Sequence, residues 1–267
     1  MRERTPQMKP VRTVVVTGAA GHLGRAVALW WARPGVNLVL VDRAEQALAA
    51  CAAEAAARGA EVAAQAVDLA APAAFASALG ALPSTHWEDG CPSLVLLHGV
   101  AGRRLGAAPR LGGLDPADWQ GVLDVNLTSI VFAIQTALPF MKAAGGGRIV
   151  LVSSAAGLSA SPTAALSYSV TKAAIAALPR LLAAELGAAQ VLINAVAPGK
   201  FENPDWPDDA LALERYANSI PLGRIASTDE VAALIGFLSS EANTYLTGQT
   251  ILQDGGRLSA PPGGPRR

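Results

Sequence analysis

The feature that most constrains this chain is the alternation of short, uninterrupted apolar runs with long alanine-rich stretches. Strands of a parallel sheet are buried on both faces and read as continuous apolar runs, and helices cross over between them. The alternation predicts βαβ units: an α/β fold with a doubly wound, Rossmann-type parallel sheet, three layers α/β/α, in a single domain. Strands are expected at 13–17, 37–41, 61–67, 94–97, 148–152, 190–196 and 250–253. Between them, helices are expected at 23–32 and at 45–58, the latter ended by Gly59, a residue type that closes helices in a left-handed conformation. Asp115 reads as an N-cap followed by Pro116, opening a helix that reaches Lys142. More helical sequence covers 167–186, 208–218 and 228–239. One domain over 11–257 accounts for nearly all of the 267 residues, and 1–10 and the Pro/Gly/Arg-rich 258–267 are expected as flexible extensions.

Three motifs on this framework carry chemistry. The first is Thr17-Gly18-Ala19-Ala20-Gly21-His22-Leu23-Gly24, between the first strand and the first helix. Small residues let backbone N–H groups approach a pyrophosphate, and the helix N-terminus favours its charge. Asp42, ending the second strand, is placed where a carboxylate accepts hydrogen bonds from both adenosine ribose hydroxyls. It would repel a 2′-phosphate, which favours NAD over NADP; Arg43 beside it is a cation that would tolerate one. The alternative for Asp42 is a helix-capping aspartate.

The second motif is Tyr168-Ser169-Val170-Thr171-Lys172. Positions i and i+4 share a helix face, and an ammonium beside a phenol favours phenolate, as a general acid/base for an alcohol or carbonyl requires. A solvent-exposed helical pair is the plain alternative. The third is Ser153-Ser154-Ala155-Ala156-Gly157 after the fifth strand. Ligands of open α/β sheets bind outside the carboxyl ends of strands, so a hydroxyl there can bond a substrate oxygen; ordinary turn chemistry is the alternative.

Composition excludes several other classes. Lys plus Arg equals Asp plus Glu at 21 each, so no net field favours nucleic acid or an anionic membrane. Cys51 and Cys91, with His22, His86 and His98, show no metal-ligand spacing, and no metal is expected. No apolar signal-type segment precedes the first strand and no uninterrupted apolar run has the length of a membrane span, so a cytoplasmic protein that does not engage membranes is expected.

With these motifs in hand, the chain resembles the short-chain dehydrogenases/reductases, in their shorter single-domain branch, over residues 11–256. The resemblance rests on the glycine motif, Asp42, Asp68, Asn126, Ser154-x-x-Gly157, Tyr168-x-x-x-Lys172 and Asn194-Ala195-Val196-Ala197-Pro198-Gly199. It rests also on Ile220-Pro221-Leu222-Gly223-Arg224, Tyr245-Leu246-Thr247-Gly248-Gln249 and Asp254-Gly255-Gly256. It implies an NAD-dependent oxidoreductase acting on a small-molecule alcohol or ketone. Tyr168 would be the general acid/base, Lys172 would hold the nicotinamide ribose, Ser154 would orient the substrate oxygen, and Asn126 would hold a relay water. Gly18, Gly21, His22, Leu23, Gly24, Asp42 and Arg43 would meet the cofactor. So would Asp68 and Leu69 at adenine, Gly99, and Pro198 and Gly199 at nicotinamide. A homotetramer or homodimer built on the long helices is implied as well. Two alternatives stay open: an NADPH-dependent 3-oxoacyl reductase-like enzyme, and a non-catalytic NAD(H)-binding regulatory protein.

Three departures stand out. His22 occupies a glycine position of the usual motif, where it either sits near phosphate or faces solvent from a loop. Leu96-Leu97-His98-Gly99 replaces a segment that normally carries asparagines and retains only Gly99. A threonine expected after Pro198-Gly199 is absent, and Asn203, which both donates and accepts, is its candidate substitute. The substrate pocket is expected between Ser154, Tyr168 and segments 102–114 and 200–216. Leu105, Leu111, Phe201 and Trp206 give it a partly apolar wall.

Overall fold

The structure, a computed structural model, describes residues 11–71, 73–74, 77–78, 91–96, 111–161, 163–204 and 209–259. Among the described residues, seven strands form one parallel sheet: β1 (Val11–Thr17), β2 (Asn37–Asp42), β3 (Glu61–Ala66), β4 (Cys91–Leu96), β5 (Gly147–Val152), β6 (Val191–Pro198) and β7 (Thr250–Gln253). Their order is β3-β2-β1-β4-β5-β6-β7, so the winding reverses between β1 and β4. The helices are α1 (His22–Trp31), α2 (Glu45–Ala57), α3 (Pro116–Leu123), α4 (Ser129–Ala144), α5 (Leu166–Gly187), α6 (Ala210–Ala217) and α7 (Thr228–Ser239). The expected three-layer α/β/α architecture is what forms.

Period-two alternation divides the core. Val14, Val16, Leu38, Leu40, Val150, Val152 and Val196 turn to one face, where α1, α2 and α7 cover them. Val15, Val39, Val41, Ile149, Leu151, Ile193 and Ala195 turn to the other, under α4 and α5. Packing is close enough that a Cβ on Gly236 of α7 would lie 2.4 Å from the Trp30 ring of α1. Trp31 beside it is buried and donates its indole N–H to Ser239 Oγ at 3.1 Å.

The sequence and the structure differ in particular places. The fourth strand begins at Cys91, three residues before its apolar run. Pro92 lies where the β1–β4 register shifts, and a residue without an N–H is tolerated at such an irregularity. The long helix expected from Asp115 is interrupted: Asp124–Thr128 is a π turn between α3 and α4. A wider i→i+5 ladder inside otherwise helical sequence leaves no periodicity signature. The sixth strand starts at Val191, because Gln190 adopts φ +57 as the turn closes. The turn after β7 is bonded through Leu258 N to Asp254 Oδ2 at 2.7 Å and Ser259 N to Gly256 O at 3.1 Å.

By length and hydropathy alone, the helical stretch Pro116–Ala144 would pass for a membrane span. Its Ile130, Ala133, Ile134, Ala137 and Met141 are buried in the core beneath the sheet. Register then sets the site. Thr17 pairs with Val41 and Leu96, Leu96 with Leu151, Val152 with Val196, and Pro198 with Gln253. The carboxyl ends of the strands therefore share one edge, and the motif residues that follow them project there.

Candidate active site

At the switch point, Gly18 makes the turn after β1 with φ +64, a conformation that favours glycine. Gly24 serves packing: a Cβ there would fall 1.9 Å from Gly18 O. Gly21 is the N-cap of α1 and supplies no side-chain hydrogen bond, and the first turn holds no acidic residue. The first N–H groups of α1 thus suit an anion. Leu23 is half-buried and packs against the first core. His22 is the first residue of α1, rather than a loop residue, and is half-buried.

Asp42 does two things at once. Its Oδ2 accepts from Ala20 N at 3.1 Å and its Oδ1 from Ala44 N at 3.0 Å. The first bond ties the glycine-rich turn to the end of β2, and the second turns the chain toward α2. An ionised carboxylate has about four acceptor positions, so lone pairs remain there that could accept from hydroxyl groups of a ligand. Arg43 is exposed next to it. Val67 N donates to Asp42 O at 2.9 Å, which brings the end of β3 alongside. Exposed Asp68 accepts from Ala70 N at 2.9 Å, and half-buried Leu69 packs against the second core.

The reactive side chains meet where β5 ends on α5. Lys172, 2% exposed, donates from Nζ to Val152 O at 2.7 Å, and its ammonium stands 5.6 Å from the Tyr168 ring centroid. A buried cation requires such partners. Tyr168 is half-buried one turn earlier, so the pair is not an exposed helical couple. Ser153 donates from Oγ to Lys172 O at 2.7 Å, locking strand end to helix. Ser154 caps the next turn: its Oγ accepts from Ala156 N at 3.2 Å, leaving the hydroxyl proton available to a substrate oxygen. Gly157 permits the approach, since a Cβ there would lie 2.5 Å from Lys172 C and 2.6 Å from Ala173 N. Asn126, fully buried in the π turn, donates from Nδ2 to Thr171 Oγ1 at 3.1 Å.

Pro198 is buried at the end of β6, and Gly199 N donates to Gln253 O at 2.8 Å. A Cβ on Gly199 would lie 3.0 Å from Asp254 Cα and Cβ, so the β6 and β7 ends close together there. Asn203 is half-buried beyond the bridge that pairs Phe201 with Ala226. Phe201, expected on the pocket wall, packs instead against the first core, because that bridge turns the segment toward α7. Leu111 is 78% exposed in a short 3₁₀ turn. His98, Gly99, Leu105 and Trp206 lie outside the described residues. Sequence reasoning passed over Ser153, Gly157 and Thr171 as actors. Only their places inside the Ser-x-x-Gly and Tyr-x-x-x-Lys motifs signalled them.

Comparison with known proteins finds relatives over nearly the whole chain. A family profile described as Enoyl-(Acyl carrier protein) reductase matches residues 18–257. The cis-4-hydroxycyclohexanecarboxylate dehydrogenase of Sinomonas cyclohexanicum is 37% identical over 250 residues, covering 92% of this chain and 96% of that protein. A 3-oxoacyl-[acyl-carrier protein] reductase from Brucella melitensis with bound NAD superposes with a TM-score of 0.81 at 30% identity, covering 96% of this chain and 97% of that one. L-sorbose reductase from Gluconobacter frateurii, in complex with NADPH and L-sorbose, superposes with a TM-score of 0.84 at 27% identity, covering 96% and 100%.

Proposed function

The chain belongs to the short-chain dehydrogenase/reductase family and is an oxidoreductase, and on that premise we propose that it interconverts a secondary alcohol and a ketone with NAD(H). The observation that carries the reading is the junction of β5 and α5, where Ser154, Tyr168 and buried Lys172 meet at the ligand edge of the sheet. The glycine turn and Asp42 fit a dinucleotide at that same edge: α1 offers N–H groups without a capping side chain, and the carboxylate is placed for ribose hydroxyls. Bound there, the nicotinamide supplies the hydride chemistry.

The chain's own residues supply the rest. Ser154 donates its hydroxyl proton to the substrate oxygen and fixes its direction. Tyr168 takes the alcohol proton in oxidation and returns one in reduction. Lys172 holds the ribose and keeps a cation beside the Tyr168 ring. Asn126 holds the relay water that links Lys172 to solvent. Leu23, His22 and Gly21 border the pyrophosphate, Asp68 and Leu69 the adenine, and Pro198, Gly199 and Asn203 the nicotinamide. The relative that acts on a hydroxycyclohexanecarboxylate supports a cyclic, partly apolar substrate.

A panel of secondary alcohols and ketones, followed at the NADH absorbance band, tests the reading. Turnover with NADH well above that with NADPH is expected. A strong NADPH preference would overturn the role given to Asp42 and support the 3-oxoacyl reductase-like alternative, which exposed Arg43 and the NADPH-bound sorbose reductase favour. NADH binding without turnover across the panel would favour a regulatory protein.

We also propose a homotetramer or homodimer, working in the cytoplasm. Val131 and Phe132 on α4, with Val170 and Leu181 on α5, are exposed apolar side chains on the two long helices, as a subunit interface requires.

A further inference from the structure

We propose that Thr171 is a positioning residue of this site: its hydroxyl holds Asn126, and the π turn around it, in the register that serves Lys172. The proposal rests on the oxidoreductase reading above. Thr171 is fully buried on α5 between Tyr168 and Lys172. Its Oγ1 donates to Tyr168 O at 2.9 Å and accepts from Asn126 Nδ2 at 3.1 Å. One hydroxyl thus joins the backbone of the proton-transferring tyrosine to the side chain of the relay asparagine, 45 residues away in sequence.

The bond has mechanical meaning because Asn126 does not lie in ordinary helix. Residues Asp124–Thr128 form a π turn, a local insertion of the kind that collects at functional sites. On its own helix the turn is held by Ser129, whose Oγ donates to Val125 O at 2.5 Å. From α5 it is held by Thr171. A side chain here must accept one hydrogen bond and donate another inside a dry interface, which a hydroxyl does and an isosteric valine does not. Without it, the bond from Asn126 Nδ2 to α5 is lost, the turn is released from that helix, and Asn126 shifts relative to Lys172. Proton delivery to Tyr168 then suffers, whereas the cofactor contacts at the glycine turn and Asp42 are untouched.

The test compares Thr171→Val, Thr171→Ala and Thr171→Ser with the wild type, measuring kcat against pH, NADH affinity by fluorescence, and thermal melting. Thr171→Val is expected to lower kcat about tenfold, the order of one buried neutral hydrogen bond, and to displace the limb of the kcat–pH profile that reports proton transfer. NADH affinity should stay within about threefold, and Thr171→Ser should restore both kcat and the profile. Thr171→Ala carries the same expectation and covers a valine variant that fails to fold. In the double variant with Asn126→Ala, the Thr171→Val effect should vanish, since both act through one contact. An unchanged profile in Thr171→Val, a serine variant as impaired as valine, or effects that multiply in the double variant would each overturn the proposal. A wild type without turnover would instead overturn the parent reading, so the two failures are distinguishable.

Discussion

Gly157 shows how a residue without a side chain decides where reactive ones stand. Its missing Cβ would meet the backbone of Lys172 and Ala173, which is backbone that cannot rotate aside. Gly157→Ala is expected to push the Ser154 turn away from α5, costing about 1–3 kcal/mol in stability and a larger share of kcat, read by urea titration alongside turnover. Tyr168 should behave oppositely. Tyr168→Phe removes one hydroxyl at the substrate edge, so kcat should fall by about 10²–10⁴ while NADH binding, followed by fluorescence, hardly changes. An equal loss of NADH affinity would mean the phenol holds cofactor rather than moving a proton. Asp42 joins both kinds of role, since the carboxylate proposed to meet the ribose also accepts from Ala20 N. Replacing it by alanine should therefore weaken NADH and NADPH alike at the loosened turn, in addition to any change in preference between them, measurable as separate dissociation constants.

Among the elements, α7 has the most completely built start. Ser227 and Glu230 form a capping box, and Glu230 also takes a two-pronged ion pair from Arg224 at 2.8 and 2.7 Å. The hydrogen bond from Arg224, reinforced by the Ser227 backbone N–H, holds the Glu230 carboxyl down at about 2 from its ordinary 4.5. A carboxyl depressed in the folded state stabilises above its unfolded value and loses that contribution as pH falls through the folded one. The loss is therefore expected between about pH 4.5 and 2, and Glu230→Gln should flatten the fall of stability over that window in urea titrations at stepped pH. The group is exposed, so the effect should be small and weaken with added salt. The π turn between α3 and α4 is a different kind of element, since it has no side-chain cap at its start and one of its side-chain anchors comes from another helix.

For the whole molecule, the exposed apolar side chains of α4 and α5 bear on assembly. Phe132 is 45% and Leu181 63% exposed. Phe132→Asp is expected to shift sedimentation from an oligomer to a smaller species; a wild type that sediments as a monomer would overturn the assembly proposed. Cys51, by contrast, is buried in the first core, and burial raises its thiol pKa. It should resist alkylation until the fold opens, so its labelling rate in urea reports unfolding of the α2 side.

The sequence alone determined the layered architecture, because two-sided burial writes itself into strands as unbroken apolar runs such as 13–17 and 37–41. It also determined the chemistry-bearing pairs of short separation. Tyr168 and Lys172 are joined by helical period, and the glycine turn by the strand and helix around it. The tertiary structure decided what depends on contacts between distant segments: the bond from Asn126 to Thr171, the approach of Gly157 to Lys172, the tether from Asp42 to Ala20, and the packing of Phe201 against the core. Such contacts leave no local mark. A threonine or a glycine reads the same whatever it faces, and only the packing of one element on another specifies its partner.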